Sequence, residues 1–153
     1  MQEKIDGIKA INESMWRAYK EFLSGRDRGA YQKAVACLEW GYEAELRWFC
    51  RNLASAWEGV IGLLEACFEE GADAASIHSC VSDIQNSAWS IYRGFMTDHA
   101  VPEYTRRAAE LTRRHSGDKD MKLFAQTLIL SWVPVINSLA EDFRNGGANN
   151  EVI

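Results

Sequence analysis

The sequence predicts an all-α protein, a six-helix bundle made of two tandem three-helix repeats related by a pseudo-twofold axis. Apolar residues recur at the helical spacings of three and four, and the 153 residues include only two prolines. The second half of the chain also repeats the first. The clearest matches lie 75 positions apart and are Phe49/Phe124, Leu53/Leu128, Trp57/Trp132, Val60/Val135, Ile61/Ile136, Phe68/Phe143 and Gly71/Gly146.

A second series of matches extends this duplication upstream. At an offset of 73 it comprises Ile11/Ile84, Ser14/Ser87, Trp16/Trp89, Tyr19/Tyr92, Lys20/Arg93, Phe22/Phe95, Tyr31/Tyr104 and Leu38/Leu111. The repeats then cover about 5–71 and about 77–146 of a single domain, 1–153, with a disordered tail at about 147–153. Three short helices bury little surface alone, so we expect the repeats to share a core, as in a fused symmetric dimer.

Glycine, proline and aspartate mark the helix ends. Gly25 is placed to end the first helix in the left-handed conformation and Asp27 to cap the second. Gly71 closes the third helix, and Pro102 suits the first turn of the fifth. The predicted helices are about 3–24, 28–40, 43–70, 76–97, 102–114 and 119–144.

Composition limits the classes of protein to which the chain can belong. With 47% hydrophobic and 25% charged residues it is globular in composition, and its net charge of −5 argues against nucleic acid as a default partner. The charged N-terminus lacks the apolar stretch of a signal peptide, so we expect a cytoplasmic protein. The four cysteines form no C-x-x-C pair and are expected as reduced thiols in or near the core.

One uncharged segment, Leu123 to Ala140, has the minimum length for crossing a membrane. It carries several polar residues, and its counterpart in the first repeat is interrupted by Arg51, Glu58 and Glu65. Two copies of one fold should occupy one kind of environment. We therefore predict a buried core helix and no membrane association.

No catalytic or metal-binding pattern is found. The histidines are His78, His99 and His115, and no Glu-x-x-His pair of a di-iron bundle is present. His78 and Cys80 could supply two metal ligands, but nothing nearby completes a site. No Gly-rich phosphate loop is present, and no local motif pairs a nucleophile with a base. We predict no enzyme activity, metal or cofactor.

The candidate interaction residues are four arginines of the fifth helix and one tryptophan. Two arginine pairs recur seven residues apart, and most of this basic face is absent from the first repeat. The alternative is a solvated helix face balanced by Glu103 and Glu110. Trp40 lies near a helix end, has no matching tryptophan in the second repeat and is suited to an interface. The candidates are Arg106, Arg107, Arg113, Arg114 and Trp40.

The function predicted from these features is a non-catalytic macromolecular-interaction module, with a protein partner or self-association. One alternative is a small-ligand binder with an aromatic-lined cavity between the repeats, near Trp57 and Trp132. A second alternative, less favoured, is anion or nucleic-acid binding through the basic face of the fifth helix.

Overall fold

A computed structural model of the chain describes residues 1–146 with their side chains. The prediction of a disordered tail at about 147–153 falls outside this part of the chain. The described residues contain six helices and no strand, which confirms the all-α prediction. The helices are α1 (Gln2–Gly25), α2 (Arg28–Trp40), α3 (Ala44–Glu69), α4 (Ala75–Asp98), α5 (Val101–Arg114) and α6 (Lys119–Val152).

Two of the predicted helix ends are formed as expected. Asp27 caps α2 because its Oδ1 accepts a hydrogen bond of 3.0 Å from the backbone N–H of Ala30. Gly71 has a φ of 70°, and the N–H of Ala72 after it donates to the carbonyl of Cys67 at 3.0 Å. This hydrogen bond satisfies a carbonyl that the end of α3 would otherwise leave without a partner.

The predicted end of α1 is wrong by one residue. Gly25 is still helical, and the left-handed position is Arg26, with φ 59° and ψ 23°. Its N–H donates to the carbonyl of Phe22 at 2.7 Å, and its guanidinium lies 4.1 Å from the ring centroid of Phe68. This cation–π contact, worth about 1 kcal/mol, offsets the cost of about 1 kcal/mol for a left-handed residue that has a Cβ.

The first compact unit, Met1–Ser79, contains α1, α2, α3 and the first residues of α4. Its core contains three interacting rings, called here the first aromatic triad: Trp16, Tyr19 and Trp57. The Trp16–Tyr19, Trp16–Trp57 and Tyr19–Trp57 centroids are 5.2, 6.0 and 4.9 Å apart. The remaining large buried side chains of this unit are Ile8, Ile11, Met15, Phe22, Tyr31, Phe49, Leu53, Val60, Ile61 and Leu64.

The second compact unit, Cys80–Ile153, contains most of α4 together with α5 and α6. Its core contains the second aromatic triad: Trp89, Tyr92 and Trp132. The Trp89–Tyr92, Trp89–Trp132 and Tyr92–Trp132 centroids are 5.0, 6.2 and 4.9 Å apart. The remaining large buried side chains are Val81, Ile84, Ile91, Phe95, Tyr104, Leu111, Met121, Phe124, Leu128, Ile129, Val135, Ile136 and Leu139.

The boundary between the units falls within α4, between Ser79 and Cys80. The predicted first repeat, about 5–71, lies inside the first unit. The predicted second repeat, about 77–146, lies inside the second unit except for its first three residues. The single domain and the pseudo-twofold axis remain predictions.

The helix that raised the question of a membrane is α6. Among the described residues, its segment Lys119–Gly146 is the one helix long and apolar enough to cross a bilayer, and 44% of its most apolar window is buried. A core helix of a water-soluble protein meets the same criterion. The helix also has an exposed face, on which Leu123 and Leu130 are 59% and 66% exposed. The core-helix interpretation therefore remains a prediction.

Candidate functional site

The most exposed large aromatic side chains of the described chain lie at the junction of α2 and α3. Trp40, the last residue of α2, is 69% exposed, and Trp48, in the second turn of α3, is 60% exposed. Exposure of Trp40 was anticipated from the sequence. Burial of an indole contributes strongly to protein interfaces, so two of them left in water indicate a surface available for contact.

Each indole ring is contacted by an arginine that a second interaction holds in place. The guanidinium of Arg47 lies 4.8 Å from the Trp40 centroid, and its Nε donates to the carbonyl of Tyr42 at 2.8 Å. The guanidinium of Arg51 lies 4.9 Å from the Trp48 centroid. We call Trp40, Arg47, Trp48 and Arg51 the tryptophan surface.

Arg51 also joins the two helices. Its Nη2 lies 2.7 Å from Oε1 of Glu39, and its Nε donates to the same oxygen at 2.8 Å. Because Glu39 precedes Trp40 on α2 and Arg51 follows Trp48 on α3, this ion pair holds the two sides of the surface together. The indoles are exposed yet restrained, so ordering them on binding would cost little entropy.

The local sequence explains why Trp48 faces water. Its neighbours Phe49 and Cys50 are 2% and 0% exposed, and Leu53 is 1% exposed. With 3.6 residues per turn, this spacing directs positions 48, 51, 52 and 55 away from the core. The preceding backbone is strained, since Ala44 has a φ of 47°.

The predicted basic face is found on α5, but it is largely neutralised. Arg106 is held between two carboxylates of its own helix: its Nη2 is 2.8 Å from Oε2 of Glu103, and its Nη1 is 2.7 Å from Oε1 of Glu110. These hydrogen bonds and charges raise the pKa of Arg106 and lower that of Glu103. This is the balanced helix face that the alternative interpretation described.

Arg107 is turned toward α4. Its Nη1 lies 3.3 Å from Oδ2 of Asp98, and its Nη2 lies 3.8 Å from Oε2 of Glu103. A Cβ added to Gly94 would lie 2.6 Å from Nη1 of Arg107, so the glycine makes room for the guanidinium. Arg107 is therefore part of the packing between α4 and α5.

The end of α5 is tied to α4 through Asp83. Nη2 of Arg114 lies 3.0 Å from Oδ2 of Asp83 and donates to Oγ of Ser87 at 2.7 Å. Nε2 of His115 lies 2.7 Å from the same carboxylate oxygen. Partial burial alone would raise the pKa of Asp83, but the hydrogen bonds and charges of His115 and Arg114 outweigh it and hold this pKa below its ordinary value.

Arg113 is exposed and has no ion pair with any residue that the structure describes. The structure thus brings the four arginines together on α5 and engages three of them with carboxylates. Trp40 belongs to the first unit and the arginines to the second.

The tryptophans proposed to line a ligand cavity are core residues of their own units. Trp57 and Trp132 are each 1% exposed, and both rings pack within the aromatic triads. The hydroxyl of Tyr19 forms a 2.9 Å hydrogen bond with Nδ1 of His78, and burial raises the pKa of that tyrosine. These contacts assign His78 to the packing of the first unit.

No three His, Cys, Asp or Glu side chains are grouped to hold a metal ion within the described residues. The four cysteines are free. Cys50 and Cys67 are buried as predicted, and burial, with a smaller effect of the Glu39 charge, raises the pKa of Cys50 to about 11. Cys80 is partly exposed. The prediction is wrong for Cys37, which is exposed because α2 buries little more than Tyr31.

Sequence reasoning did not select Trp48, Arg47 or Arg51 as functional candidates. One signal was present: Trp48 has no aromatic counterpart in the second repeat, where Leu123 occupies its position. The contacts of the two arginines with the indoles depend on the approach of α2 to α3, which the sequence pattern does not specify.

Comparison with protein-family models, with curated proteins and with solved structures finds no match to this chain.

Proposed function

We propose that this protein is a non-catalytic macromolecular-interaction module that binds a protein partner through the tryptophan surface. The observation that carries the proposal is the exposure of Trp40 and Trp48 with an anchored arginine against each ring. Tryptophan and arginine are the residues most enriched at the energetic centres of protein interfaces.

The two indoles would supply part of the free energy that specific binding needs. An indole side chain buries up to about 200 Å², so covering the exposed parts of Trp40 and Trp48 would remove roughly 250 Å² of largely apolar surface from water. At about 25 cal/mol per Å² this is about 6 kcal/mol, an upper limit before the entropy cost of association. Micromolar affinity, about −8 kcal/mol, therefore requires further contacts around the indoles that also offset the entropy cost of association.

We also propose that the two units are copies of one three-helix fold. The three distances within the first aromatic triad differ from their counterparts in the second by 0.2 Å or less. The left-handed residues that follow α1 and α4, Arg26 and His99, have φ of 59° and 55° and occupy matched positions. Each donates its N–H at 2.7 Å to the carbonyl of a matched phenylalanine, Phe22 or Phe95.

The second partner of each left-handed residue is also matched. The guanidinium of Arg26 lies 4.1 Å from the ring of Phe68, and the ring of His99 stacks on Phe143 at 3.7 Å. The buried amides Asn12 and Gln85 occupy matched positions as well. These similarities support a duplication in which core and cap positions were retained.

Against this retained core, the tryptophan surface differs between the repeats. Its residues Trp40, Arg47, Trp48 and Arg51 are matched by Arg113, Lys122, Leu123 and Gln126. A surface that differs where the core is retained is the expected place for a function held by one repeat. Nucleic-acid binding through α5 is the weaker alternative, because carboxylates engage three of its four arginines.

The proposal is tested by comparing two double variants in affinity capture from the native host. Trp40→Ala with Trp48→Ala removes the indoles. Leu123→Ala with Leu130→Ala is the matched control, because it removes apolar side chains of similar exposure from α6. We expect proteins captured by the natural sequence to be lost with the tryptophan variant and kept with the leucine variant. Loss with the leucine variant alone would instead place the contact surface on α6.

A further inference from the structure

The two units differ at the groove between their first two helices. In the second unit this groove, between α4 and α5, is filled by Arg107. Its side chain is 33% exposed, and its guanidinium lies against Gly94 and reaches Asp98 and Glu103. The second unit therefore supplies its own basic side chain to the groove.

In the first unit the corresponding groove, between α1 and α2, is open. At the constant offset of 73, Ala34 stands at the position of Arg107 and Ala30 at that of Glu103. Gly25 stands at that of Asp98 and Glu21 at that of Gly94. We call the cavity left there the α1–α2 groove. Its volume is about 140 Å³, and its apolar lining comprises Ala18, Phe22, Ala30, Tyr31 and Ala34.

The size of the groove decides what class of occupant it can hold. A cavity of about 150 Å³ accommodates a benzene-sized molecule, whereas sites for drug-sized ligands are about 300 Å³ or larger. The α1–α2 groove therefore suits one side chain and not a cofactor. This excludes most small-molecule ligands and favours a single residue from a macromolecular partner.

The charge of the groove indicates which kind of side chain it can bind. Its charged lining residues are Glu21 and Asp27, both acidic and exposed. Glu21 has no ion pair with any described residue, and one oxygen of Asp27 caps α2 through Ala30. A second depression shares Glu21 and Ala34 with the groove, and the basic residue of its lining is Arg17. A cation is therefore complementary to the Asp27 end, and the net charge of −5 of the whole chain favours a basic partner.

We propose that the α1–α2 groove binds an arginine side chain of a protein partner, held by acidic residues at other positions than those that hold Arg107 in the second unit. The aliphatic part of the arginine packs against Ala18 and Ala34, and its guanidinium faces Glu21 and Asp27. Arginine suits the groove better than lysine because its planar guanidinium pairs with a carboxylate through two parallel hydrogen bonds. The inference rests on the proposed interaction function for the existence of a partner and specifies the chemistry of that partner.

The test is an NMR titration of the full chain with the peptide acetyl-Ala-Arg-Ala-amide. The control peptide contains citrulline, which has nearly the shape of arginine but no charge. We expect saturable shifts of the methyl signals of Ala18, Ala30 and Ala34 with the arginine peptide at millimolar concentration and not with the citrulline peptide. Equal shifts with both peptides, or no shifts, would overturn the proposal.

Two variants locate the site. Ala34→Arg gives the first unit the residue of the second, so we expect it to fill the groove and abolish the response, whereas Ala36→Arg adds the same charge at an exposed position that does not line the groove. If Ala34→Arg does not fold, Glu21→Gln serves instead, with an expected weakening of about threefold, as for an exposed ion pair. An unchanged response in the folded Ala34→Arg variant, or in Glu21→Gln, would overturn the proposal.

The tripeptide response is independent of the tryptophan surface. We expect it to persist when Trp40 and Trp48 are both replaced by Ala. Partner capture that survives the replacement of both tryptophans, with an intact tripeptide response, would refute the tryptophan surface alone. Loss of the partner in that variant, with no tripeptide response from the natural sequence, would refute the groove alone.

Discussion

The proposed duplication of the core makes a quantitative prediction about Trp57 and Trp132. Each side chain is 1% exposed and lies 4.9 Å, centroid to centroid, from the tyrosine of its own triad. Truncating a buried tryptophan costs about 3–5 kcal/mol, from lost transfer free energy and the cavity left behind. We expect Trp57→Ala and Trp132→Ala each to lower the free energy of unfolding by about 4 kcal/mol, and to agree within about 1 kcal/mol.

The assay is urea unfolding at 25 °C, followed by circular dichroism and by fluorescence to check that both probes report one transition. Trp48→Ala is the control, because replacing an exposed side chain changes stability by about 0.5 kcal/mol or less. A loss of about 4 kcal/mol in one triad with less than 1 kcal/mol in the other would refute the equivalence of the two cores.

Three further predictions concern single sites. Gly59→Ala should raise the free energy of unfolding by about 0.5–1 kcal/mol, measured in urea, because no atom within 4 Å opposes the added Cβ and alanine favours a helix. The lowered pKa of Asp83 means that its carboxylate stabilises the fold above the ordinary aspartate pKa, and that this contribution is lost as the pH falls through the folded-state value. Asp83→Asn should therefore cost up to about 1 kcal/mol at pH 7 and reduce the loss of stability on acidification, measured by thermal melting from pH 7 to pH 3; a variant with an unchanged pH profile would contradict this. Iodoacetamide should modify Cys37 in the folded protein at least tenfold faster than Cys50, measured by mass spectrometry, since the Cys50 thiol is buried with a pKa of about 11.

Much of the fold follows from short-range patterns. The helical periodicity and the single glycines place the starts of all six helices and the ends of the first five within about one residue, because each of these signals acts over one or two turns. The end of α1 was misplaced because a left-handed arginine is stabilised by Phe68, a residue of another helix. The preference of glycine for the left-handed conformation predicted Gly25 at the helix end, but the residue in that conformation is Arg26, which contacts Phe68.

The candidate site was only partly predictable for the same reason. The partners of Arg106 are visible in the sequence because Glu103 and Glu110 lie three and four residues away on one helix. The partners of Arg107 and Arg114 lie on α4, so their neutralisation depends on how two helices pack. The exposure of Trp40 followed from its place at a helix end.

Both proposed surfaces lie where the two predicted repeats differ in sequence. Trp48 is distinctive because the predicted second repeat has a leucine at the matching position. The α1–α2 groove is distinctive because Ala34 is aligned with an arginine of the second unit. Neither difference identifies a site by itself. The structure adds the contacts: Arg51 lies against the ring of Trp48, and Arg107 is paired with Asp98.

The most direct test of the interaction function is photo-crosslinking from the tryptophan surface in cells of the native host. The photoreactive residue p-benzoylphenylalanine replaces Trp48 in one variant and Ala109, an exposed residue of α5, in the other. We predict a discrete crosslinked protein from position 48 that disappears when Trp40 is also replaced by Ala, and no such product from position 109. The same product from both positions, or none from position 48, would contradict the proposed interaction surface.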